Sequence, residues 1–344
     1  MKLVTYEIRG PLGPIERFGV ERPNGDIVDA NAGYRFMLES LGLTGRPREV
    51  ADANLPSTLL RFLQTGQVAQ AALQETLSFL LKVPSEQLTR ESVVWHPDQL
   101  RILSPLPKPN SFREFGQFER HHDAFARLIA DQTTSDTPVT KESLSYWKGN
   151  PGAVIGPDAT IYWPPYTTRL DFELELAAVV GRPGINLDPG VALDHIVGFT
   201  IFNDVSARDQ QLIEMTKGVG PSKCKDFCNV LGPAIVTLDE LDPDRFDVEV
   251  LVNGESWVKG DTRAMTSSWA EIVAYASKGE WIMPGDVLTS GTVDGCCAME
   301  HLGWPETGAL LHPGDVLELV VAGIGVLRNT VGDPQADVTP SPQQ

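Results

Sequence analysis

Long apolar runs are missing from this chain of 344 residues. No segment supplies the roughly 18 consecutive uncharged apolar residues that a membrane-spanning helix needs, and the opening MKLVTYEIRG has no apolar core of the kind a secretory leader carries. Cysteine is scarce as well, with four residues at Cys224, Cys228, Cys296 and Cys297. They are too few and too unevenly spread for a disulfide framework. Their spacings also miss those of cysteine-based zinc sites, so buried thiols in a reducing compartment are expected. Basic residues are outnumbered, 28 against 46 acidic ones, for a net charge of −18. That balance argues against nucleic acid and anionic membrane surfaces as partners. Together these absences predict a soluble, cytoplasmic protein.

Gly and Pro are plentiful, 31 and 26 residues, and they punctuate short runs of Val, Ile, Leu and Phe. Many strands joined by turns give this pattern, a mostly β (α+β) chain. In RFGVERPNGDIVDA the turn of a hairpin falls at Pro23-Asn24-Gly25-Asp26, because Asn-Gly accepts the positive φ of tight turns. Between Ser57 and Leu81, apolar residues recur at helical spacing, which predicts one or two amphipathic helices. Four prolines then lie between His96 and Phe112. They place a boundary near residue 100, with an N-terminal domain over 1–100, a larger domain over 101–334 and a disordered tail over 335–344.

In Asp171-Phe172-Glu173-Leu174-Glu175-Leu176, strict alternation puts three carboxylates on one strand face and three apolar side chains on the other. Same-face neighbours lie about 7 Å apart, so their repulsion calls for water, a basic partner or a cation. A solvated strand face would account for this run alone. The next strand, His195 to Phe202, is mostly apolar and ends at Asn203-Asp204, placing another carboxylate at the terminus of a buried element. Carboxylate ligands suit hard cations, so Mg²⁺ is expected at Glu173, Glu175 and Asp204, with Mn²⁺ or Ca²⁺ as alternatives. Beyond Asp204 the local balance turns basic, with Arg208, Lys217, Lys223 and Lys225. Such cations next to a metal can bind a carboxylate or steady an enolate.

Several motifs occur in order: EFGQFERH, DFELE, NDVSARDQQ, KDF followed by Leu231-Gly232-Pro233, SGT and AMEHLGW. In these the chain resembles the fumarylacetoacetate hydrolase family, in its longer form with an N-terminal domain. The resemblance implies a mixed β-sandwich roll, a homodimer and a small anionic oxo-acid substrate. By resemblance Glu173, Glu175 and Asp204 are metal ligands. Glu114 stands where longer members carry an aspartate ligand, so it reaches the ion directly, through water, or not at all. His121 matches the general base, with His122 its competitor on spacing, and Glu300 matches the carboxylate that orients it. Arg208, Gln211, Lys225 and Thr292 match substrate-binding positions, Lys225 also stabilising the oxyanion and Lys223 remaining its alternative. Tyr146 or Trp147 lines the pocket. The stretch after Glu114 is helical in pattern and forms a lid over the substrate.

Hydrolysis of a carbon–carbon bond in a β-diketo acid, an acylpyruvate or a fumarylacetoacetate-like compound, is the first expectation for this site. Decarboxylation, isomerisation or hydration of an oxo-acid would use the same enolate. A metal-stabilised binding protein without activity is the third reading.

Overall fold

The computed structural model describes residues 1–10, 13–121, 144–218, 220–302 and 310–334. Alternating apolar strands dominate, and they assemble into a twelve-stranded sheet, a five-stranded sheet and a two-stranded ribbon, with helices packed outside. This is the α+β architecture that the sequence pattern predicts.

The spine of the large sheet runs, in spatial order, Gly13–Glu21, Lys2–Gly10, Asn229–Thr237, Ile196–Asp204, Leu174–Val180, Asp286–Thr289, Ser111–Phe115 and Tyr146–Trp147. The first hairpin forms as expected: Gly19, Val20 and Glu21 pair with Asp29, Val28 and Ile27, and Gly25 takes a φ of 86° in the turn. The helical pattern after Ser57 resolves into two helices, Leu59–Thr65 and Gln67–Leu80, broken at Gly66. Between the expected N-terminal and larger domains the backbone pairing is continuous, because Lys2 and Leu3 pair with Val236 and Ile235.

Period-two alternation sorts the central strands between two cores. Leu174, Leu176, Ala178 and Val180 meet Val250 and Leu319 of the five-stranded sheet. There Phe199 sits 4.9 Å, ring to ring, from Trp269. On the opposite face Ala177, Val179, Phe202, Phe112 and Val287 meet Phe62 and Leu73 of the N-terminal helices. Continued by two residues along their strands, this second face delivers Glu175, Asp204, Glu114 and Thr289 to one end of four adjacent strands. Among the described residues no helix is long and apolar enough to cross a membrane.

Candidate metal centre and proton-transfer pair

Glu114, Glu173, Glu175 and Asp204 converge so that one oxygen from each lies within 4.8 Å of the others. All four side chains are buried. The expected straight strand is broken just ahead of them: Leu170–Asp171 and Leu174–Val180 are separate strands. Across the break Glu173 N donates to Asn203 Oδ1 at 3.0 Å, and Asp204 N donates to the Glu173 carbonyl at 3.1 Å. This corrects the expectation of three carboxylates on one face. Asp171 turns away and accepts from Arg208 Nε at 2.8 Å and from the Ala298 and Met299 amides at 2.8 and 3.1 Å. Two free amides at the start of the Ala298–Leu302 helix and a guanidinium offset its desolvation, so it leaves the cluster.

Lys225 is the basic partner. Its Nζ donates to Glu173 Oε2 at 2.6 Å and to Asp204 Oδ2, and lies 3.8 Å from Glu114. Its ammonium also sits 5.7 Å from the Trp147 ring centre. Lys223 instead is exposed and faces Tyr166. Arg208, wholly buried, places Nη1 2.6 Å from Glu173 Oε1 and 3.0 Å from Gln211 Oε1. The loop carrying Lys225 is tied to the helix carrying Arg208 through Glu214, which accepts from the Ser222 and Cys224 amides at 2.8 and 3.2 Å. Nothing in the sequence singles out Glu214 among the acids of a helical stretch.

Two cations do not balance four carboxylates. Burial acts against ionised Glu173, but Lys225 and Arg208 override it and hold the group well below the usual carboxylate range. For Glu175, burial and then the Asp204 charge push the pKa well up. Asp204 is raised in the same way by burial and Glu114. Burial, then Glu175, lifts Glu114 to about 8. Glu114 Oε2, Glu175 Oε1 and Asp204 Oδ1 have no hydrogen-bond partner among the described residues. Buried oxygens left in this state, all hard donors, fit a divalent cation.

His121 stands beside the cluster. Its Nδ1 lies 2.5 Å from Glu300 Oε1 and its Nε2 3.4 Å from Glu173 Oε1. Burial works against the imidazolium, yet the hydrogen bonds with Glu173 and Glu300 outweigh it and raise the pKa. Glu300 is held in turn by the Gly295 amide at 2.7 Å. Gly291 supplies the turn of the SGT motif, with a φ of 79° and no room for a Cβ, which would fall 2.3 Å from the Phe115 carbonyl. Its amide reaches Glu175 Oε2 at 3.1 Å.

A cavity of about 310 Å³ opens over these groups, and its walls include Glu114, His121, Tyr146, Trp147, Glu173, Gln211, Lys225 and Thr292. Arg208, Glu175, Asp204 and Glu300 lie behind the wall. His122, the expected lid beyond His121, Gly303 and Trp304 of AMEHLGW, and the tail lie outside the described residues.

Residues 118–332 match the family described as fumarylacetoacetate (FAA) hydrolase C-terminal. A human protein named a mitochondrial oxaloacetate tautomerase is 28% identical over 333 residues, covering 96% of this chain and 91% of the relative. Among solved structures, a fumarylacetoacetate hydrolase from Exiguobacterium antarcticum superposes with a TM-score of 0.66 at 27% identity, over 96% of this chain and 99% of that one. A 5-carboxymethyl-2-hydroxymuconate delta-isomerase from Mycobacterium smegmatis, 22% identical with a TM-score of 0.61 over 96% and 99% of the two chains, shares the fold. With the match spanning more than half its length, the chain belongs to the fumarylacetoacetate hydrolase family.

Proposed function

We propose that this protein moves a proton at the carbon beside the keto group of a small 2-oxo dicarboxylic acid, interconverting keto and enol forms. Glu173, Glu175 and Asp204, with Glu114 beside them, would hold a divalent cation, Mg²⁺ by preference for all-oxygen donors. A cation bound there supplies Lewis-acid polarisation of substrate oxygens. The observation that carries the reading is the His121–Glu300 pair, with Nδ1 fixed at 2.5 Å by the carboxylate and His121 on the cavity wall.

His121 Nε2 takes the proton from carbon, leaving the electron pair to spread onto the neighbouring carbonyl oxygen, and returns a proton to that oxygen. Glu300 keeps the ring oriented and steadies its charged form. Lys225, Gln211 and Thr292 face the same space, and supply positive charge and hydrogen bonds to the substrate's carboxylate and oxo groups. Arg208 acts from behind by fixing Glu173, a more indirect part than substrate binding. Tyr146 and Trp147 form the wall that limits water. The name carried by the full-length human relative supports this chemistry.

Hydrolysis of a carbon–carbon bond in an acylpyruvate is the second reading, because a His–Glu pair also suits activation of water. Both readings share the homodimer that the sequence motifs imply, which sedimentation tests. Following enol-oxaloacetate absorbance and acetylpyruvate cleavage, each with Mg²⁺ and with chelator, separates the two reactions. The tautomerase reading expects cation-dependent acceleration of the first alone. Cleavage of acetylpyruvate with no effect on oxaloacetate would overturn it.

A further inference from the structure

The proton-transfer pair has a third neighbour that the proposed reaction does not use. Cys297 is fully buried. Its Sγ lies 3.5 Å from Glu300 Oε1 and 3.9 Å from His121 Nδ1. A thiol, an imidazole nitrogen and a carboxylate oxygen thus form a triangle of their own, distinct from the four-carboxylate cluster. Cysteine spacing could not reveal it, since one donor alone is a cysteine.

Tetrahedral zinc, with bonds of about 2.3 Å to sulfur and about 2.0–2.2 Å to nitrogen and oxygen, sets its donors roughly 3.6 Å apart on edges with sulfur and roughly 3.3 Å apart on the nitrogen–oxygen edge. The two sulfur edges, 3.5 and 3.9 Å, already fit. The third, at 2.5 Å, must open. Opening it breaks the His121–Glu300 hydrogen bond. Both partners stay anchored elsewhere, Glu300 Oε2 by the Gly295 amide at 2.7 Å and the His121 amide by Asp294 at 3.3 Å.

The geometry points to a binding site for zinc, or another thiophilic divalent cation, formed by Cys297, His121 and Glu300 and filled in competition with the His121–Glu300 hydrogen bond. Sulfur and nitrogen donors select against Mg²⁺, whereas the carboxylate cluster favours it. One imidazole therefore separates two cation sites of opposite preference, Nδ1 turned to the soft one and Nε2 to the hard one. Binding releases the thiol proton to solvent. Occupancy does not depend on the reaction proposed above. Its consequence for turnover, inhibition, does rest on that reading, because a ligated Nδ1 loses its orienting carboxylate.

Cobalt(II) is the probe. Added to the Mg²⁺-loaded protein, one equivalent is expected to give a thiolate-to-cobalt charge-transfer band that zinc bleaches. Cys297→Ser, which leaves the other three cysteines in place, is expected to lose the band. It should also bind zinc at least tenfold more weakly in competition with a chromophoric chelator. Cys297→Ala provides the same readout should the hydroxyl disturb packing. No band in the unmodified protein, or a band that survives both substitutions, overturns the site. In parallel, zinc should inhibit oxaloacetate tautomerisation at a concentration at least tenfold lower in the unmodified protein than in the variants. Lack of turnover on oxaloacetate would instead count against the proposed reaction and leave the spectroscopic result standing.

Discussion

Two parts of the molecule bury carboxylates among polar partners. In the N-terminal part, Asp29 accepts from Tyr6 Oη at 2.5 Å, from Arg17 through both Nε and Nη2, and from the Ala32 amide at 2.7 Å. Neither of its oxygens is left over. At the end of the central strands four carboxylates converge, where Lys225 pairs with Glu114, Glu173 and Asp204, and Arg208 divides itself between Glu173 and Asp171. Among the described residues, Glu114, Glu175 and Asp204 each keep a buried oxygen with neither a hydrogen bond nor an ion pair, while Glu173 Oε1 meets Arg208. A network that serves only folding closes its hydrogen bonds within the chain; one left open asks for something from outside. The difference teaches where to look for a ligand more sharply than charge alone, since both networks are acidic at their centre.

The sharpest break in this comparison comes from Glu173→Gln. It should abolish Mg²⁺-dependent thermal stabilisation and reduce kcat/KM by roughly three orders of magnitude or more, read by thermal-shift titration and by the enol assay. A variant that still gains stability from Mg²⁺ would remove Glu173 from the ligand set. His121→Ala should separate chemistry from cation binding, with kcat down by roughly 10²–10⁴ and the Mg²⁺ response intact. Asp29→Ala should do the reverse. Stripping the partner of Arg17 and Tyr6 should cost about 3 kcal/mol in denaturant unfolding, with turnover per folded molecule and the Mg²⁺ shift unchanged.

A smaller effect is set by pH. In the cation-free protein burial and the Glu175 charge push Glu114 up to about 8, with Glu175 and Asp204 also raised. Raised carboxyl pKa values contribute stability that is complete below the ordinary carboxyl value and lost as pH climbs through the raised ones. A cation prefers the ionised forms, so its stabilisation should grow as that contribution fades. The Mg²⁺-induced rise in Tm should therefore widen between about pH 6.5 and about pH 8.5. An equal shift at both would mean that the ligands are already ionised without the ion. Smallest of all, Tyr146→Phe removes the hydroxyl that bonds Glu280. It should change KM by no more than about threefold, since the ring remains as the cavity wall.

Much of the candidate site is legible because the residues that converge there stand in local runs. Alternation carried Glu175, the abrupt end of an apolar strand carried Asp204, and ordered motifs carried His121 and Glu300. What stayed hidden depends on contacts between distant segments. Asp171 obeys the same alternation as Glu173, yet an interruption of the strand after it and two helix amides 127 and 128 residues away turn it aside. The choice between Lys225 and Lys223 rested on motif spacing, and burial of the first against Glu173 and Asp204 separates them. For the fold, hairpin and helices were readable from turn residues and periodicity. That the opening strand joins the central sheet was not, because no pattern in Lys2–Gly10 names its partner.

That pairing limits how the molecule can be cut. A fragment trimmed to the family match, residues 118–332, would lack Glu114 and the Ser111–Phe115 strand that lies inside the sheet. It would also strip the Lys2–Gly10 strand from Asn229–Thr237 and uncover Ala177, Val179, Phe202 and Val287. An open hydrogen-bonding edge beside bare apolar surface is a template for self-association. The isolated segment should aggregate, because the N-terminal strand and helices that cover this edge and face of the sheet would be gone.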